Sequence, residues 1–241
     1  PQSLRLEMPM DLGLEGKVAL VTGGSRGVGR AIAHALLAEG ARVMLTARDP
    51  QRLAATCSEL ARDPGGEVRA VAADLEDDAA VRRMVNATIE AFGHFDILVN
   101  AAGSVNLADF APHTEAAWTA AFEQKLNGYV RCLRHAIPHL KTRGWGRIIN
   151  LAGVGGREAG AMTVPVGLNN AAVLNLTKSI ARDYGVLLEG GMALRGALGY
   201  TQTVGGNLTI LPWIFGMCVV LAGGWLSQRL KKAGVSSRLS R

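Results

Sequence analysis

The chain has 241 residues, enough for one α/β domain with an appendage. Hydrophobic residues make up 49% and mean hydropathy is +0.17, slightly rich for a soluble protein. The net charge of +6 points toward nucleic acid until it is divided along the chain. Arg195, Arg229, Lys231, Lys232, Arg238 and Arg241 against Glu189 give residues 189–241 a charge of +5, so residues 1–188 carry +1. A basic face on the main domain is excluded, and no nucleic-acid partner is expected. Cys57, Cys132 and Cys218 are odd in number, far apart and without metal-ligand spacing, so reduced thiols, a cytoplasmic location and no metal are expected. Pro1 stands where an initiator Met would, which reads as a processed start or a start inside a longer frame. No charged segment followed by an apolar run marks a secretory signal.

Residues 1–16 are polar and read as an N-terminal arm. Val18, Ala19, Leu20 and Val21 form a short apolar run, as in a strand buried on both faces of a parallel sheet. Gly23, Gly27 and Gly29 follow where a strand-to-helix turn needs them, and a helix begins near Arg26. Its unpaired N–H groups and positive dipole end would face the turn, which suits a pyrophosphate. Glycines alone also make ordinary turns; the order strand, turn, helix is what favours a dinucleotide. This helix is expected to end at Gly40.

A strand is expected over residues 42–46. Asp49 and Pro50 then open a helix as N-cap and first residue. Further strands are expected over 68–72, 96–100 and 147–151, and helices over 79–92, 118–141 and 168–184. Asp74 ends the third strand and Gly93 stops the third helix. Strands alternating with helices at this spacing predict a Rossmann-like, doubly wound α/β domain over residues 17–185. Its ligand belongs at the carboxyl ends of the strands.

Residues 17–183 resemble the short-chain dehydrogenase/reductase family. Thr22-Gly23-Gly24-Ser25-Arg26-Gly27-Val28-Gly29 is similar to its TGxxxGxG turn. Asp74-Leu75 matches its adenine-contacting pair, and Asn100-Ala101-Ala102-Gly103 its NNAG motif apart from the second Asn. Ala171–Ser179 matches the helix after its active-site tyrosine. The resemblance implies NAD(P)(H) binding by Gly23, Ser25, Arg26, Gly27, Val28, Gly29, Arg48, Asp74, Leu75, Asn100, Ala101 and Gly103. Arg48 closes the second strand with no acid before it, and Arg26 lies in the turn; two guanidinium groups favour the 2′-phosphate of NADP. Both could instead be solvated surface residues, and Asp49 is near enough to a ribose to keep NAD open.

The family's catalytic set is replaced. The resemblance implies a Ser that holds the substrate carbonyl, a Tyr that passes the proton, a Lys that lowers the Tyr pKa and an Asn that ties in a water relay. Gly153, preceded by Ala152, stands at the Ser position, Val166 at the Tyr position, Asn170 at the Lys position and Lys125 at the Asn position. Three readings are open. Lys125 provides the cation and another group donates the proton, with Thr163, Asn169 and Asn170 nearby in sequence though a threonine hydroxyl is a poor acid; or the fold binds a nucleotide without chemistry; or the gene is decayed or recombined. Lys125 could also be a snorkelling surface lysine. Tyr129 lies one turn further on, able to meet Lys125 on one face or to pack in the core.

The resemblance stops after Tyr184. The family's sixth strand, Pro-Gly turn, substrate lid and seventh strand are not visible in residues 186–241. No charged residue occurs from Gly196 to Gln228. Residues 207–226 are long and apolar enough for one transmembrane helix, with Trp213 and Trp225 toward the interfaces, Pro212 tolerated and the basic end cytoplasmic. The same stretch could instead supply a strand and helix that complete the sheet. The segment around Gln228 resembles a loop motif of major-facilitator transporters. The expected function is an NADP(H)-preferring oxidoreductase of a carbonyl or alcohol, with NAD open. The rival is a catalytically empty nucleotide-binding protein, membrane-attached or recombined. A small-molecule substrate is expected, and the family resemblance implies a homo-oligomer through the helices over 118–141 and 168–184.

Overall fold

The computed structural model describes residues 12–62, 66–103, 114–158 and 164–184. The chain divides into two units, Pro1–Tyr184 and Gly185–Arg241. The second unit lies outside the described residues, and with it the expected membrane span, the transporter-like stretch and the place of any later strands. Thr163 lies outside them too. Among the described residues no helix is long and apolar enough to cross a membrane.

Five parallel strands form one sheet: β1 (Val18–Thr22), β2 (Arg42–Ala47), β3 (Val68–Ala72), β4 (Ile97–Asn100) and β5 (Arg147–Asn150). Their order is β3-β2-β1-β4-β5. Between them run α1 (Gly27–Ala38), α2 (Pro50–Leu60) and α3 (Asp78–Phe92); α4 (Glu115–Phe122) and α5 (Gly128–Arg143) precede β5, and α6 (Val164–Tyr184) follows it. Every residue of β1 and β4 is buried, as the unbroken apolar runs predict for strands covered on both faces. Ala19, Val21, Val43, Leu45, Ile97 and Val99 meet Ala33, Leu37, Leu53 and Leu60 in one core.

Local signals set the element ends. Asp49 Oδ1 accepts from Gln51 N–H at 3.1 Å and Arg52 N–H at 3.0 Å, capping α2. Gly93 ends α3 in the left-handed region at φ +80°. Gly40, at φ +76°, follows the Glu39 cap of α1 and accepts from Gly16 N–H at 2.9 Å, so the arm's last residues are tied to the fold.

Three elements differ from expectation. α6 begins at Val164, four residues early. The helix expected over 118–141 begins at Glu115, with the Thr114 hydroxyl accepting from Ala117 N–H at 3.2 Å, and ends at Arg143. It is also broken by a π-helical turn over Glu123–Asn127. The extra residue in that turn rotates everything after it, and hydrophobic periodicity does not register it. Finally, Asp96 sits just before β4 and is fully buried.

Candidate active site

Parallel register brings the carboxyl ends of the central strands into line. Thr22 pairs with Thr46 on one side and Asn100 on the other, and Asn100 pairs with Asn150. Strand order reverses between β1 and β4, the crevice where open α/β sheets take ligands. Thr22 locks this crevice: its hydroxyl oxygen accepts from Ala101 N–H at 3.0 Å and Ala102 N–H at 3.2 Å. Gly23 follows at φ +67°, and a Cβ there would lie 2.8 Å from Ala102 Cα. A Cβ on Gly29 would collide with the Gly23 carbonyl, so only glycine lets α1 start this close to β1.

A cleft of about 350 Å³ opens here. Gly23, Ser25, Arg26, Gly27, Val28 and Gly29 form its floor, Arg48, Asp74 and Leu75 one wall, and Ala101 and Gly103 another. All these expected cofactor contacts therefore meet in one place. No side chain caps α1, whose N-cap is Arg26, and a Cβ on Gly27 would meet nothing within 4 Å. Open space at an uncapped helix start fits the phosphates of a dinucleotide. Asn100 does not line the cleft: it is fully buried, its Nδ2 donating to Asn150 Oδ1 at 2.8 Å. Asn150 Nδ2 in turn donates to the Thr177 hydroxyl at 3.0 Å, joining β4, β5 and α6.

Thr46, Ala47, Arg52, Ala73, Ala102 and Gln124 also line the cleft beyond the expected contacts. Arg52 was discoverable, since the third residue after an N-cap at the end of β2 faces the same way as the cap. It lies 3.7 Å from Asp49 Oδ2, while Asp49 Oδ1 is held by the two α2 amides. Among the described residues Arg48 makes a long, exposed pair with Glu76 at 3.9 Å, one that solvent screens.

Lys125 lies in the π-helical turn beside the Gly103 wall, its Cδ 3.5 Å from where a Gly103 Cβ would stand. Its ammonium folds inward onto α6 and donates to Asn170 Oδ1 at 2.6 Å. Burial lowers its pKa from the ordinary lysine value. The turn is braced by Glu123, which accepts from Asn127 Nδ2 and Arg131 Nη2, both at 2.7 Å. Arg131 Nη1 also donates to the Leu75 carbonyl at 3.1 Å, linking the turn to the cleft wall. These bonds hold the Glu123 carboxyl below its usual pKa.

Tyr129 is fully buried, with its hydroxyl donating to Leu151 O at 3.4 Å. Its ring centroid is 5.9 Å from Lys125 Nζ, and burial raises its pKa far above that of a free phenol. Tyr129 is thus core packing, not an exposed acid. Asn169 Nδ2 donates to Ala121 O and Pro165 O at 3.2 and 3.1 Å, tying α6 to α4. Cys57 and Cys132 are free; burial raises both, Cys132 to about 12, which makes them poor nucleophiles.

The sequence and fold match known proteins. An oxidoreductase of Staphylococcus epidermidis is 34% identical over 167 residues, 69% of this chain and 71% of that protein. The 3-oxoacyl-acyl-carrier-protein reductase of rhamnolipid biosynthesis in Pseudomonas aeruginosa is 34% identical over 175 residues, 70% of this chain and 68% of that protein. A short-chain dehydrogenase/reductase structure from Burkholderia xenovorans superposes with TM-score 0.69 at 34% identity, covering 73% of this chain and 71% of that one. A short-chain dehydrogenase structure from Mycobacterium smegmatis gives TM-score 0.70 at 31% identity, covering 72% and 73%. The transporter resemblance of the tail finds no support in these matches. The family model described as short chain dehydrogenase matches residues 17–187, ending where the tail begins. With a glycine turn at the β1–β4 switch point and a family match across nearly the whole sheet, the chain belongs to the short-chain dehydrogenase family of oxidoreductases.

Proposed function

We propose that the protein is an NADP(H)-preferring oxidoreductase of a carbonyl or alcohol substrate, in which Lys125 does the acid–base work of the missing tyrosine. The observation that carries the cofactor choice is the charge at the end of β2. Arg26, Arg48 and Arg52 line the cleft, while the carboxylate that could take ribose hydroxyls, Asp49, is engaged by α2 amides and Arg52. Guanidinium groups bind phosphate oxygens in pairs, and an engaged carboxylate repels a 2′-phosphate less than a free one. The Pseudomonas aeruginosa relative, by its name a 3-oxoacyl reductase, is in keeping with carbonyl chemistry.

Held by the glycine turn and Arg48, a reduced nicotinamide would supply the hydride for the carbonyl carbon. The carbonyl oxygen then needs a proton. The Lys125 stem packs beside Gly103, which lines the cleft, while Lys125 itself does not line it; its lowered pKa makes the ammonium a better acid than an exposed lysine. It gives the proton to the oxygen and is left as a neutral amine, which takes a proton back from solvent. In alcohol oxidation the neutral amine accepts the hydroxyl proton.

The test is a melting-temperature titration with NADPH and NADH, followed by turnover on a ketone panel. NADPH should raise Tm at concentrations where NADH does little, because a ligand of the native state stabilises it. Arg48→Ala should weaken NADPH by about tenfold, the scale of one charge-assisted hydrogen bond, and leave NADH unchanged. Equal response to both cofactors, or none, overturns the assignment. A Tm rise without turnover on any ketone favours the nucleotide-binding, catalytically empty alternative. The apolar groove between α5 and α6, lined by Val130, Leu133, Ile137, Leu176 and Ile180, supports a homo-oligomer through these helices.

A further inference from the structure

We infer that Thr56, on α2 and outside the cleft, is a positioning residue for the glycine turn: its hydroxyl holds the Ser25–Arg26 peptide so that an N–H, not a carbonyl oxygen, is presented to the cofactor's pyrophosphate. The inference rests on the oxidoreductase reading above and adds to it a residue that touches no ligand itself.

Three observations carry it. First, this hydroxyl bonds across the fold instead of along its own helix. A threonine inside a helix can give its hydroxyl to the carbonyl four residues earlier. Thr88, Thr142 and Thr177 do so, donating to Met84 O at 2.9 Å, Pro138 O at 3.1 Å and Val173 O at 2.7 Å. Thr56 is buried midway along α2 and donates to Ser25 O at 2.9 Å, 31 residues away. Second, a bond at Ser25 O fixes the peptide that follows. A trans peptide is planar, with its C=O and N–H on opposite sides, and among the described residues no peptide is cis. With Ser25 O turned onto α2, Arg26 N–H points the other way. Ser25 and Arg26 line the cleft, whereas Thr56 does not. Arg26 is the N-cap of α1, so its N–H is among the four that a helix leaves without an internal partner. Third, packing does not fix the turn at its next residue. Gly27 sits at φ +55°, and a Cβ there would meet nothing within 4 Å. Glycine adopts several backbone conformations at little steric cost, so a hydrogen bond has to select one. Gly24 N–H, donating to Thr46 O at 3.0 Å, holds the residue before Ser25, and Arg30 pairs with Glu59 one turn beyond Thr56. The turn is thus tied to β2 and α2 on both sides of the peptide that Thr56 orients. N–H groups at a helix start attract phosphate oxygens, and a carbonyl oxygen turned toward them repels.

The test uses Thr56→Val, which keeps the shape of the side chain and loses the donor, and Thr56→Ser, which keeps the donor. Dissociation constants are measured by calorimetry for NADPH and for adenosine 2′-monophosphate, which carries the 2′-phosphate but no pyrophosphate. Thr56→Val should weaken NADPH about fivefold to tenfold, the worth of one hydrogen bond, and leave adenosine 2′-monophosphate within about twofold of the wild type. Thr56→Ser should bind both ligands as the wild type does. In the wild type itself, the Arg26 amide 15N signal should shift on adding NADP+ and stay in place with adenosine 2′-monophosphate. That measurement needs no variant to fold. Equal weakening of both ligands in Thr56→Val would mean a loosened α2 and overturns the inference. So does no weakening of either, a Thr56→Ser variant as weak as Thr56→Val, or an Arg26 amide that NADP+ leaves unmoved while it binds. If NADPH does not bind the wild type at all, the cofactor reading fails and takes this inference with it.

Discussion

Lys125→Met is expected to lower kcat for carbonyl reduction by about 10²- to 10⁴-fold, the usual contribution of a positioned acid, while leaving the NADPH-induced rise in Tm intact. Methionine keeps the stem that runs beside Gly103 but carries no proton and no charge. A loss of cofactor response instead would make Lys125 a wall of the cleft rather than an acid. The pH dependence separates these further. Burial lowers the Lys125 pKa from 10.5. Reduction requires the ammonium, so the rate should be full at low pH and fall as pH rises through the folded pKa, below 10.5 and not at it. Stability moves the opposite way. Between the folded pKa and 10.5 the unfolded chain holds the extra proton, so this group makes stability rise with pH across that window. Urea unfolding at a series of pH values should show that slope in the wild type and lose it in Lys125→Met.

Asp96→Ala is expected to destabilise the fold by about 1–3 kcal/mol, the cost of leaving a buried donor without its acceptor, since Arg143 is exposed enough to be solvated. Asp96 is fully buried. It accepts from Val18 N–H at 2.9 Å, lies 3.0 Å from His94 Nε2, and accepts from Arg143 Nη2 at 3.2 Å. It therefore fastens the starts of β1 and β4 to the end of α5. The alanine variant leaves the Val18 N–H buried without an acceptor and the guanidinium without its partner. A fall in Tm of roughly 2–12 °C follows for a domain of this size. Asp96→Asn keeps an acceptor for Val18 and should lose less. A Tm within 2 °C of the wild type in Asp96→Ala would show that the carboxylate's desolvation cancels its bonds. The site at the opposite end of the strands should keep its NADPH response wherever the variant remains folded.

What could be read from residues alone was whatever neighbours a few positions apart decide. The β1 run and the spacing of Gly23, Gly27 and Gly29 specified a strand, a turn and an open helix start. Asp49-Pro50 and Gly93 marked helix ends, because a cap is a bond between a side chain or left-handed residue and amides within the next turn. The alternation of these elements gave a parallel sheet, and with it the end of the sheet where a ligand sits.

Contacts between distant segments were not legible. Periodicity reports which side of a helix is apolar, not what stands opposite. The π-helical turn decides where Lys125 points, and no residue pattern announced it. Register between β4 and β5 set Asn100 opposite Asn150, where their side chains bond. The glycines of the Val154–Gly156 turn, by letting it settle on α6, set the distance between Asn170 and position 153. Spacing thus determined the Rossmann-like fold, and the family resemblance named most of the residues that line the cleft at its switch point. Which side chains face one another at the reacting end was decided by packing, because that geometry depends on the register of strands and helices far apart in the chain.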